Sequence, residues 1–261
     1  MNFSQILNCA KGEGGQLSVS VDEDWLQGRS VFGGLQAAVL LAAMRRLVPA
    51  DLPLRTLQVT FIAPIGAGAL TASAEVLRTG KSAIHAQARI ADGGAVQCIA
   101  VAVFGSARES KTRVTPQRPP VAAGQPVPFR YIQGVTPNFT RYFSMNWLTG
   151  GLPYTGTPGN NAAIEVSMDE AVPASESHLL AIADSIPPVA LSQMKQPTFG
   201  SSLTWALDFT ADGYSQFPLQ GWRLDAELTA ARDGYTSQDV KVWAPDGSLA
   251  ALSRQCMVVF G

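Results

Sequence analysis

The sequence predicts an α+β fold built twice over, each copy an antiparallel sheet wrapped around one central helix. Three observations carry that expectation. Strand-like segments recur in the same order, one apolar helical stretch precedes each set, and a proline-rich polar segment separates them.

The strand segments come first. Residues 54–105 read LRTLQVTFIAP, GALTASAEVLRTGKS and AIHAQARIADGGAVQCIAVAVFG, and residues 201–261 read SSLTWALDFT, GWRLDAELTAARDGYTS and QDVKVWAPDGSLAALSRQCMVVFG. Arg78 matches Arg232, Gly80 matches Gly234, and Asp92-Gly93 matches Asp246-Gly247, all at an offset of 154 residues. Leu57 with Leu203, and Val103-Phe104-Gly105 with Val259-Phe260-Gly261, extend the match. Within these segments Leu57, Val59 and Phe61 alternate with Gln58, Thr60 and Ile62, the period of a strand. Asp-Gly between alternating runs predicts type I′ hairpins, whose two central residues need positive φ. Gly80 and Gly234 mark the preceding turns.

The helices follow. Gly34 to Val48 is apolar nearly all round, with Leu35, Ala38, Val39, Ala42 and Met44, which predicts a buried helix. Glu176 to Met194 is the second helical stretch, and Pro187-Pro188 must break or restart it. Residues 109–126, ESKTRVTPQRPPVAAGQP, have linker composition. The expected division is therefore a first domain over 1–108, a linker over 109–126 and a second domain over 127–261. A single buried helix wrapped by an antiparallel sheet is the hotdog plan, and a fused pair covers the edge that one copy leaves open. The fold class is thus a tandem, or double, hotdog.

Composition narrows the function. Nineteen basic residues stand against twenty acidic ones, which argues against nucleic acid as a partner. No run of about 18 apolar residues suggests a membrane span, and the opening residues lack a secretory leader pattern, so a soluble cytoplasmic protein is expected. Cys9, Cys98 and Cys256 are too widely spaced for a zinc or redox motif, and Cys98 and Cys256 lie in apolar runs that predict burial. His85 and His178 lack paired ligand spacing, so no metal is expected and no cofactor is called for. A GxSxG elbow, a GxGxxG loop and a phosphate-binding GxxxxGK[ST] loop are all missing from the sequence.

Differences between the copies point to chemistry. The last strand of copy one, Cys98 to Val103, is wholly apolar, whereas copy two carries Ser253-Arg254-Gln255, with Gln255 near the place of Ile99. Gln255 reads either as an outward-facing strand residue or as a buried amide that needs partners. Asp184 ends an apolar helical run and reads either as a cap for the helix restarting at Pro187-Pro188 or as a carboxylate that activates water. Ser202, at a strand start, is a third candidate. Val31-Phe32-Gly33-Gly34 opens the first helix, where glycine either makes packing room or bares amides that could receive an oxyanion.

With these residues in place, the chain resembles the bacterial acyl-CoA thioesterase II family and its double-hotdog relatives over nearly its whole length. The resemblance rests on GRSVFGGLQAAVLLAAMRRLVP, TLQVTFIAPI, LLAIADSIPPVAL, SSLTWALDF and DGSLAALSRQCMV. It implies hydrolysis of an acyl-CoA thioester by activated water, without metal or covalent intermediate. The family's aspartate, hydroxyl residue and glutamine fall on Asp184, Ser202 and Gln255. Serine stands where threonine is usual, and Thr204 stands where an aspartate is often found. The expected substrate contacts are Phe32, Gly33, Gly34, Leu35, Val39 and Leu203, and the family habit implies a homodimer or larger assembly. A non-catalytic acyl-CoA binding module is the rival reading. A hotdog hydratase would need a His/Asp pair within hydrogen-bond reach.

Overall fold

A computed structural model describes residues 1–121 and 124–260. Residues 122 and 123 of the expected linker, and Gly261 of the repeat match, lie outside the described residues. The chain opens with α1 (Phe3–Asn8), β1 (Gln16–Val21) and a short ribbon of β2 (Leu26–Gln27) and β3 (Ser30–Val31). Then come α2 (Gly33–Arg45), β4 (Leu54–Phe61), β5 (Gly68–Thr79), β6 (Ala83–Asp92) and β7 (Ala95–Gly105). The second half has β8 (Val127–Phe129), β9 (Phe143–Thr149), β10 (Asn161–Met168) and α3 (Glu176–Asp184), followed by a 3-10 turn at Val189–Gln193. It closes with β11 (Gly200–Phe209), β12 (Trp222–Arg232), β13 (Tyr235–Trp243) and β14 (Leu249–Val259).

Twelve strands form one antiparallel sheet in the order β1-β5-β6-β7-β4-β11-β14-β13-β12-β10-β9-β8. The run β1-β5-β6-β7-β4 in the first half has the same plan as β10-β12-β13-β14-β11 in the second, with the helix between the first strand and the rest in both. This is a tandem hotdog. The copies meet at β4 and β11, where Leu57 faces Leu207 and Val59 faces Trp205. All four of those side chains are buried, so the seam is core rather than a domain boundary open to water. The segment after β7 lies against the second half, where Pro119 O accepts a bond from Arg223 Nη1 at 2.8 Å.

The two helices pack inside the sheet and run antiparallel. Gly34, near the start of α2, meets Ala181 near the end of α3. At the opposite end Arg45 donates Nε and Nη2 to the Glu176 carboxylate at 2.9 and 2.5 Å. On α2 every residue from Gly34 to Leu41 is buried, as its apolar pattern requires. Ahead of it, Phe32 stacks on Phe139 with centroids 4.0 Å apart and lies within 6.5 Å of Trp25.

Several local expectations need correction. The first helix ends at Arg45 rather than Val48, and the second is α-helical only to Asp184. Pro188 then precedes the 3-10 turn, because proline has no N–H to continue the α-helix. The Asp92 turn centres on Gly93 and Gly94, with φ of 53° and 89°, since Asp92 itself pairs with Ala95. At Asp246 the carboxylate accepts from Ser248 N at 2.9 Å while Gly247 alone takes positive φ. The Asp-Gly type I′ turn occurs instead at Asp233 and Gly234, with φ of 54° and 78°. Phe104 is fully buried while Phe260 is 58% exposed, so the Val-Phe-Gly match at the strand ends is not a structural equivalence. Cys98 is buried, and desolvation pushes its thiol up to about 12, whereas Cys256 is only partly covered.

Candidate active site

Asp184 owes its position to where α3 must stop. Ser175 caps the helix by accepting from His178 N, and Leu179 through Ala183 drive it into the core. At the other end Ser185 Oγ bonds back to Ile182 O at 2.7 Å, and two prolines follow. A carboxylate on the last turn of its own helix faces the negative end of that dipole. Across the seam, however, it meets the positive end of α2, where the Gly34 amide favours its charged form. Asp184 Oδ2 therefore lies against the N-terminal turn of the other half's helix, close to Gly33. It does not cap the turn after Pro188, where Val189 N donates to Gln238 Oε1 at 2.7 Å instead.

Gln255 completes this arrangement from the sheet. It lies on the inner face of β14, only 6% exposed, between Trp205 on β11 and Gln238 on β13. Its Nε2 donates to Asp184 Oδ1 at 2.5 Å. The inner-face position corrects the expected equivalence with Ile99, which points outward; the place corresponding to Gln255 falls among the inward alanines Ala100 and Ala102. Burial dominates the electrostatics and pushes the Asp184 carboxyl up to about 7, against the opposing hydrogen bonds from Gln255 and Gly34.

Both glycines are sterically required. A Cβ at Gly33 would stand 2.8 Å from Asp184 Oδ2 and 3.1 Å from Phe61 Cζ. A Cβ at Gly34 would stand 2.7 Å from the Phe32 ring and 2.9 Å from Ala181 Cα. Glycine here thus allows the close helix approach and also leaves amides exposed toward the carboxylate. Gly33 and Gly34 are the first residues of α2, whose amides have no partner within the helix.

The remaining candidates are placed as follows. A bulge at Leu203 sets Ser202 opposite Met257, whose side chain is buried, so Ser202 shares the inner face with Trp205 and Gln255. Its hydroxyl is not among the groups bonded to Asp184. Leu203 is partly exposed, whereas Phe32, Leu35 and Val39 have no exposed surface. A cavity of about 510 Å³ is open to solvent between residues 169–173 and residues 215–218 with Gln220, near the start of α3 and away from Asp184. His178 bonds Ser4 and Ser175 at 2.9 and 2.7 Å at that same end of α3. It does not approach Asp184 as a hydratase pair would. Among the described residues no cluster of three or more His, Cys, Asp or Glu side chains could hold a metal, and no helix is long and apolar enough to cross a membrane. Sequence reasoning missed Phe61 and Gln238. The second was visible as a polar residue on an alternating strand, Gln238 and Val240 against Lys241, but its partner Val189 was not.

Comparisons with known proteins agree with this architecture. Residues 21–105 match the family described as Acyl-CoA thioesterase N-terminal domain, and residues 113–259 match Acyl-CoA thioesterase C-terminal domain. No curated protein matches the sequence. Among solved structures, a hot dog fold protein of unknown function from Alicyclobacillus acidocaldarius is 23% identical, with a TM-score of 0.86 over 99% of this chain and 98% of that one. The acyl-CoA thioesterase II TesB2 from Mycobacterium marinum is 18% identical, with a TM-score of 0.76 over 100% of this chain and 97% of that one. The tesB protein of Mycobacterium avium subs paratuberculosis is 13% identical, with a TM-score of 0.79 over 99% and 98%. At such identities the structural likeness speaks for the fold. The two family matches together span both halves, and the chain belongs to the acyl-CoA thioesterase family.

Proposed function

We propose that this protein hydrolyses a fatty or related acyl-CoA to the free acid and CoA, with Asp184 as the general base. The observation that carries the reading is the seam itself: a desolvated carboxylate held by Gln255 and by the amide end of the partner helix. A base is most effective when its pKa lies near the working pH, and burial brings Asp184 there. Ionised Asp184 takes a proton from water as the water oxygen attacks the thioester carbonyl. Gln255 and Ser202, on one face of the sheet, hold that water in line. The developing oxyanion faces the Gly33 amide at the start of α2, where the helix dipole favours negative charge. As the carbon–sulfur bond breaks, Asp184 returns the proton to the CoA thiolate.

The acyl chain enters past Leu203 and Phe61, which are partly exposed. It reaches Leu35 and Val39 only as the core side chains around them part, so the reading expects the pocket to open on binding. Phe32 then forms the wall behind. The test is thiol release from short, long, branched and aromatic acyl-CoAs, with the wild type beside Asp184→Asn. Turnover of at least one ester, with a loss of about 100-fold or more in the variant, is the expected result. Tight binding without turnover in the wild type would sink the enzymatic reading and make the protein a binding module.

A further inference from the structure

The inner faces of the two half-sheets differ in kind. On β6 the inward residues include Ala86, Ala88 and Ile90, all buried and apolar. On β13 the inward residues are Thr236, Gln238, Val240 and Val242. The next strand repeats the contrast: β7 presents Ala100 and Ala102, whereas β14 presents Ser253 and Gln255. The same fold is thus completed once without polar groups on this wall and once with four of them. Folding alone does not require them.

Three of the four are accounted for by protein partners. Gln238 Oε1 accepts from Val189 N, Ser253 Oγ accepts from Trp205 Nε1 at 2.8 Å, and Gln255 binds Asp184. Thr236 is the exception. It is 5% exposed, and its hydroxyl is buried without any hydrogen-bond partner. A buried hydroxyl in that condition is a net cost to folding, and valine would fill the same space without it. Its position is informative. Thr236 faces Met257 across the strand pair, Met257 in turn faces Ser202, and Gln255 is the diagonal neighbour of Thr236. Diagonal neighbours on one face are roughly 7–8 Å apart, the span of a few carbon–carbon bonds. The orphaned hydroxyl therefore lies on the same sheet face as Gln255, one diagonal step from the residue whose amide holds the Asp184 carboxylate.

We propose that the Thr236 hydroxyl is a specificity-determining contact for an acyl chain that carries an oxygen substituent, a hydroxyl or keto group, a few carbons from the thioester. This rests on the thioesterase reading and adds the substrate class to it. A threonine hydroxyl both donates and accepts, so it serves either substituent. Because this hydroxyl is already unpaired in the free protein, an oxygenated chain gains a hydrogen bond there that an unsubstituted chain does not, which favours the oxygenated ester.

The experiment compares matched acyl-CoAs of equal chain length: unsubstituted, 3-hydroxy, 4-hydroxy, 5-hydroxy and 3-keto. Each is assayed by thiol release with the wild type, Thr236→Val and Thr236→Ser. The wild type is expected to favour at least one oxygenated ester by tenfold or more in kcat/KM. Thr236→Val should bring the ratio of oxygenated to unsubstituted kcat/KM close to one, and Thr236→Ser should retain the wild-type ratio. Thermal melts of the free proteins accompany the assay, with Thr236→Val expected to be at least as stable as the wild type. Hydrolysis with no wild-type preference for any oxygenated ester overturns the proposal and leaves the thioesterase reading standing. An equal loss on all esters in Thr236→Val also overturns it, since that is the mark of a structural residue. No thiol release from any ester overturns the thioesterase reading, and this proposal with it.

Discussion

Asp184 is held against two unfavourable influences, burial and the negative end of its own helix, and is compensated by Gln255 and the amide end of α2. Because its carboxyl is raised from 3.8 to about 7, the folded chain binds that proton more tightly than the unfolded chain does. The associated stability is fully present below the unfolded pKa and is lost as pH rises through the folded one, between about 4 and 7. At one unit per 1.36 kcal/mol the whole effect is on the order of 4 kcal/mol. Asp184→Asn, which keeps the shape of the side chain but has no titrating charge, should therefore gain on the wild type as pH rises. At about 2–4 °C per kcal/mol for a chain of this size, its melting temperature relative to wild type should climb by several degrees between pH 4.5 and pH 8. A difference that stays flat across that range would show that Asp184 ionises normally. In wild-type kinetics the same group predicts a rising limb of kcat/KM centred near pH 7. Asp184 and Gln255 were legible in the sequence because the repeat supplied an apolar copy for contrast. The approach of the α2 amide end was not, since Gly34 and Asp184 are 150 positions apart and their meeting depends on how two helices cross.

The close approach of α2 and α3 rests on one missing side chain. A Cβ at Gly34 meets Ala181 Cα, a backbone atom that cannot swing aside, as well as the Phe32 ring. Alanine is favoured over glycine in a helix by about 1 kcal/mol, so a Gly34→Ala variant would be stabilised if propensity decided the matter. Overpacking of this kind typically costs 1–3 kcal/mol, and it should win here. The expected outcome is a lower denaturant midpoint with an unchanged slope, together with weakened turnover, because the helix end that faces Asp184 must shift. A variant more stable than wild type would show that the helices have room between them. The elements themselves were readable from periodicity, and the prolines at 187 and 188 marked the end of α3. The turn types were less so. Asp233-Gly234 and Asp246-Gly247 share a dipeptide yet adopt different loops, because the number of residues left between paired strand ends decides which one closes.

At the scale of the molecule, the repeat is what assembles the proposed site. Neither half would hold it alone: in that proposal Gly33 and Gly34 come from the first copy, and Asp184, Ser202 and Gln255 come from the second. The same seam that assembles them joins β4 to β11 through five paired positions, with Leu57, Val59, Trp205 and Leu207 at most 1% exposed. The sequence showed two copies, but it could not show which edges join, since β4 and β11 alternate much as their neighbours do. A further outcome follows for the proposed division at residues 108 and 127. A fragment of residues 1–108 would bare the β4 edge and the face of α2 that α3 covers. An uncovered strand edge beside an apolar surface pairs with whatever copy is available. Expressed alone, the fragment should therefore run as a dimer or larger species in size-exclusion chromatography, and co-expression with residues 109–261 should convert it to a heterodimer. Thiol release should return only in the heterodimer, because only that pairing rebuilds α2 against Asp184. A stable monomeric fragment would mean that each hotdog unit satisfies its own edge. The continuous twelve-stranded sheet would then be a consequence of tethering rather than the condition for folding.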